Sequence, residues 1–85
     1  MNYMLKYTKN VNNIIGENEM RVEIILKEKR KEKKFTLAQL SAKTGISTTH
    51  INDIENNIKE PSISMLVRIA KALDVKVEDL YKVQW

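Results

Sequence analysis

Cysteine is absent from the 85 residues, which excludes disulfides and thiolate metal sites. One histidine, His50, excludes a multi-histidine metal centre. Two glycines and one proline are too few for a fold rich in strands and tight turns. No apolar run approaches the roughly 20 residues of a membrane span, and the first residues lack the apolar block of a secretory signal. No nucleophile–base pair, metal cluster or phosphate loop is recognisable, so neither an enzyme nor a cofactor is expected. His50 has no obvious partner and reads as a partly exposed helix residue.

What is present is a chain rich in Leu, Ile, Lys and Glu, all common in helices. The expectation is one soluble, cytoplasmic, helical domain. The net charge of +4 is unevenly spread. Residues 21–34 hold seven basic and three acidic side chains, whereas residues 35–60 hold two basic and three acidic. A polyanion partner and a solvated basic face both fit this pattern.

From Met20 onward the periodicity predicts five helices. Val22, Ile25 and Leu26 place the first over 21–33. Thr36 and Gln39 have capping-box spacing and open the second, with Leu37, Leu40 and Ile46 on its apolar side and Gly45 as its stop. Ser47 is an N-cap for the third, whose inner row is Ile51, Ile54 and Ile58. Asn56 and Asn57 suit a left-handed end. Pro61-Ser62 opens the fourth, with Ile63, Leu66, Ile69, Ala70 and Leu73 inside. Val75 and Val77 lead to a short last helix holding Leu80. Residues 1–20 read as an arm in which Tyr3, Leu5 and Tyr7 give a weak strand signal. Such an arm is either poorly ordered or pairs with its copy in a dimer. Residues 82–85 read as a short tail. Tyr81, Val83 and Trp85 are exposed core edge or a dimer seam.

The segment TLAQLSAKTGISTTHINDIENN is helix, glycine turn, helix. Such a short turn forces a steep crossing and exposes the front of the second helix. Ile51 and Ile54 face inward, while Thr48, Thr49, Asn52, Asp53 and Asn56 form a small polar face. A face of this kind fits the major groove of B-DNA. It carries neither Arg nor Lys, and a solvated surface is its ordinary alternative.

Arg21 to Tyr81 resembles the phage-repressor helix-turn-helix family, the Cro/cI-type or Xre-like domains. The resemblance rests on Arg30, Thr36, Leu40, Gly45, Ile51, Ile54, Glu55, Pro61-Ser62, IAKALDV (69–75), VEDL (77–80) and Tyr81. It implies an all-α, five-helix DNA-binding domain spanning 21–81, with the helix-turn-helix at helices 2 and 3. It implies that Arg30 and Glu55 tie the first helix to the third. Thr48, Thr49 and Asp53 fall where the family reads bases, with Asn52 secondary and Ser47 at the front of the same helix. The backbone at Thr36-Leu37, and Asn56, Asn57 and Lys59, fall at phosphate contacts. Leu37 stands where the family often has Gln, Lys34 and Asp74 where Gly commonly ends helices, and Lys76 where Ser caps the last one.

The implied function is a sequence-specific transcriptional regulator, a repressor, acting on double-stranded DNA as a homodimer. A protein-interaction module or antitoxin-like partner using the same helix face is the alternative. The sequence ends four residues after Tyr81, so regulation is expected from concentration, a partner or dimerisation, without an effector domain.

Overall fold

The computed structural model describes residues 20–84. The expected arm with Tyr3, Leu5 and Tyr7, and Trp85 at the expected seam, lie outside the described residues. The described elements are strand β1 (Arg21–Ile24), helices α1 (Leu26–Glu32), α2 (Leu37–Thr44), α3 (Thr48–Glu55) and α4 (Ile63–Leu73), a 3-10 helix (Val77–Leu80) and strand β2 (Tyr81–Gln84).

The domain is mostly helical, but two expectations are corrected. Four α-helices and a 3-10 turn replace the five helices. The front of the expected first helix, Arg21–Ile24, is a strand paired antiparallel with Tyr81–Gln84, so the strand runs into the residues expected as a tail. The cause is non-local. Val22 and Ile24 are β-branched residues that suit a strand as well as a helix, and the partners that decide between them come 61 and 57 positions later, at Val83 and Tyr81. The pairing continues into the helical part, where the Ile25 N–H donates to the Leu80 carbonyl at 2.9 Å.

Leu26, Leu40, Ile46, Ile51, Ile54, Ile69, Ala70, Leu73 and Leu80 form the buried core, at least one residue from each helix. Phe35, Leu37, Leu66, Val75 and Val77 pack around it. Val22, Ile58 and Ile63, expected inside, are exposed. Ile58 leaves the inner row because α3 has already ended and the chain has turned, with Asn57 at φ 60°. Ile63 occupies the first turn of α4, beyond the packed part of that helix.

The helix ends explain how so little glycine suffices. Gly45 ends α2 at φ 75°. Lys34, Asn57 and Asp74 end α1, α3 and α4 at φ 62°, 60° and 58°. Each of the three sits in a Schellman arrangement. Phe35 N–H donates to Arg30 O, Ile58 N–H to Asp53 O and Val75 N–H to Ala70 O, at 2.8–3.0 Å. These bonds satisfy carbonyls that a helix end leaves open. Left-handed geometry is therefore imposed on two residues, Lys34 and Asp74, where the family commonly has glycine. Among the described residues no helix is long and apolar enough to cross a membrane.

Candidate nucleic-acid interface

The turn between α2 and α3 is held from both sides. The Thr44 hydroxyl donates to the Leu40 carbonyl at 2.8 Å and accepts the Ile46 N–H at 3.2 Å. Arg68 of α4 donates from Nη1 to the Thr44 carbonyl at 3.0 Å. Buried Thr44 thus has its polar groups partnered. The Arg68 clamp is not legible in the sequence, since it joins residues 24 positions apart.

Local capping sets where each helix begins. Thr36 and Gln39 form the expected reciprocal box: Gln39 N–H donates to Thr36 Oγ1 at 3.0 Å and Thr36 N–H to Gln39 Oε1 at 2.9 Å. This alters the expected phosphate site. The Thr36 N–H is already used, and the first-turn amides with no partner among the described residues are those of Leu37 and Ala38. Lys34, Phe35, Gln39, Ala42 and Lys43 line a shallow hollow along α2, with Lys43 in the last turn of that helix. At α3 the Ser47 hydroxyl accepts the His50 N–H at 3.1 Å, as its N-cap position requires.

Helix α3 is fastened along its back. Ile51 and Ile54 are fully buried. Glu55 meets Arg30 in a two-pronged pair, Nε to Oε2 at 2.6 Å and Nη2 to Oε1 at 3.1 Å. The third donor of Arg30, Nη1, reaches the Phe35 carbonyl at 2.9 Å. The side chains are 9% and 1% exposed, so this is a buried ion pair whose polar atoms are well used.

The front of α3 presents Thr48, Thr49 and Asn52 to solvent. Asn56 is exposed too, but its Nδ2 donates back to the Asn52 carbonyl at 3.0 Å and to Asn52 Oδ1 at 3.2 Å. That contact links the Asn52 and Asn56 side chains along the exposed face. Asp53, expected on this face, is only partly exposed. Its side chain is 20% exposed and lies 4.0 Å from Lys59 Nζ. Its carbonyl also receives the N–H groups of Ile58 and Lys59, at 2.8 and 3.3 Å. The cation that follows the helix therefore stands against the acid within it. Thr48, Thr49, Asn52 and Asn56 share the exposed side of α3, whereas Asn57 lines a hollow with Glu55 and residues of β1 and α1, and Thr36-Leu37 mark the entry to α2.

The helix-turn-helix family model matches residues 26–80. The chain belongs to the Cro/cI-type helix-turn-helix regulator family. Among its relatives, the HTH-type transcriptional regulator SinR of Bacillus subtilis is 38% identical over 56 residues, covering 65% of this chain and 50% of SinR. The immunity repressor protein of Bacillus phage phi105 is 40% identical over 52 residues, covering 61% of this chain and 36% of the repressor. The chain thus spans about half the length of SinR and less of the phage protein. Among solved structures, the biofilm regulator SinR in complex with DNA superposes with a TM-score of 0.59 at 37% identity, covering 62% of this chain and 86% of that one.

Proposed function

We propose that this chain is a sequence-specific DNA-binding transcriptional regulator, a repressor, that places α3 in the major groove and works as a dimer. The observation that carries this is the two-sided build of α3. Its back is locked by Ile51, Ile54 and the Arg30–Glu55 pair, and its front offers Thr48, Thr49 and Asn52. A rigid helix with short hydrogen-bonding side chains suits base edges. A SinR structure similar to this chain is a complex with DNA, which supports a DNA partner.

Within this reading Thr48 and Thr49 touch bases, Asn52 assists them, and Asp53 accepts from a cytosine amino group while Lys59 offsets its charge. The amides of Leu37 and Ala38, the Ser47 hydroxyl, and Asn56, Asn57 and Lys59 hold phosphates. No Arg or Lys lies on α3, so the frequent bidentate guanine contact is missing. Each domain then binds modestly and two act together. Tyr81, Val83 and Trp85 belong to the expected seam between copies.

Selection of bound duplexes from a random pool, followed by affinity against salt, tests the reading. The expected result is an enriched pseudo-palindrome and a log–log salt slope of several units, at about −0.9 per neutralised phosphate. No enriched motif and a flat salt response would instead assign the face to a protein partner, the reading that the missing basic residues on α3 favour.

A further inference from the structure

Among the described residues the two-stranded sheet has an edge with no strand beside it: β1 pairs with β2 on one edge and with no strand on the other. The face that carries Ile24 and Tyr81 is rooted at the core, where Ile24 packs. Two residues outward the same face carries Val22 opposite Val83, and these are 54% and 42% exposed. Met20, next along, is 51% exposed. A ribbon of two strands is marginal in water, and a third or fourth strand with an apolar face is what stabilises such a unit.

The ladder shows which backbone groups are left over. The Ile25 N–H donates to the Leu80 carbonyl, and Ile24 is opposite Tyr81. Bonded and unbonded pairs alternate in an antiparallel ladder. The backbone groups of Glu23 and Arg21 therefore point to β2, and those of Val22 and Ile24 point away from it.

We infer that two copies of this chain pair through the outer edges of β1, antiparallel and centred on Val22, to make a four-stranded sheet. Centring on Val22 uses the outward N–H and C=O groups, Val22 to the partner's Val22 and Met20 to the partner's Ile24. The same register sets Arg21 opposite the partner's Glu23, and Glu23 opposite the partner's Arg21. Within each chain Glu23 already faces Lys82 across the ladder. The polar face of the joined sheet thus alternates in charge from Lys82 through Glu23 to the partner's Arg21. On the other face Val83, Val22 and their copies form one apolar row. Residue i pairs with its own symmetric counterpart, as a two-fold interface requires.

Other registers lose these features. Centring on Glu23 opposes two carboxylates and uses backbone groups already bonded to β2. Pairing through the outer edge of β2, centred on Val83, sets Lys82 against the partner's Gln84 and makes no ion pair. The free edge of a strand is a template for another strand, and charge selects this one.

The inference rests on the dimeric reading above but moves the seam from Tyr81, Val83 and Trp85 to β1, and a charge exchange in the 85-residue chain tests it. Arg21→Glu and Glu23→Lys each create two like-charge contacts in their own dimers, while a mixed dimer of the two variants has two opposite-charge contacts. In sedimentation the unaltered chain should dimerise. Each variant alone should associate roughly tenfold or more weakly, and an equimolar mixture should recover the dimer. Helical circular dichroism and melting confirm that each variant folds. Val22→Pro is a second variant that removes an outward N–H and leaves the β2 ladder intact, and it should be monomeric. An unaltered chain that remains monomeric, or variants that dimerise as well as it does, overturns the pairing. Duplex selection is read separately. An enriched palindrome with no charge effect would remove the β1 edge and leave the regulator, whereas charge rescue without any motif would do the reverse.

Discussion

Arg30 makes three hydrogen bonds from a side chain that is 9% exposed, and all three reach different oxygens. Removing one partner of such a pair leaves the other charged and buried. Arg30→Ala should therefore cost about 3–5 kcal/mol, much of the total of about 5–15 kcal/mol that a small domain has. Urea unfolding of the variant, or its absence of a cooperative transition, measures this. Arg30→Lys should lie between, because it retains charge and loses the fork. Thr49 is the opposite case. It is exposed, and its side chain makes no hydrogen bond among the described residues, so Thr49→Ala should leave the melting temperature nearly unchanged. On the selected duplex it should weaken binding by about 1–3 kcal/mol, with little change on random DNA. An equal loss on both would show that Thr49 positions the helix and does not read bases. The sequence resemblance pointed to both residues. It did not show that Lys59 stands against Asp53, because that contact depends on how the chain turns after α3.

At the scale of elements, the helix termini make the sharpest demands. Gly45 at φ 75° has room for a Cβ, which would meet Arg68 Nη1 in ordinary contact at 3.8 Å. The cost of Gly45→Ala is then one of backbone conformation, about 1 kcal/mol or more, visible as a lower denaturation midpoint. Lys34 holds the same left-handed region at φ 62° without that freedom. Lys34→Gly should stabilise the domain by about 0.5–1 kcal/mol, as relief of left-handed strain exceeds the added entropy of the unfolded chain. A lower midpoint for Lys34→Gly would show that the lysine contributes something other than its backbone angle. These ends were largely readable beforehand. Thr36 with Gln39, Ser47, Gly45 and Asn57 act through contacts within five residues, so the local sequence suffices. Arg21–Ile24 was not readable, because a helix-compatible stripe of Val22, Ile25 and Leu26 also serves as a strand running into a helix.

For the whole molecule the consequence is geometric. A two-fold dimer of helix-turn-helix domains places its recognition helices about one helical turn, 34–36 Å, apart. Inserting about five base pairs between the selected half-sites turns the second to the opposite side of the duplex. Affinity should fall toward that of a single half-site, and a further five should restore part of it. Unchanged affinity in gel-shift titration would mean that each domain binds independently.

The sequence alone determined the helical class, the helix-turn-helix, the capping residues and the polar front of α3. These follow from composition, period and contacts between near neighbours, where each residue's preference acts without knowledge of the rest. Tertiary structure decided what distance in the chain conceals. It turned 21–24 into a strand by supplying 81–84, clamped Thr44 with Arg68, and brought Lys59 against Asp53. In the first two cases the partner lies tens of residues away, and at 21–24 the pairing energy between distant segments overrides the modest local preference for helix.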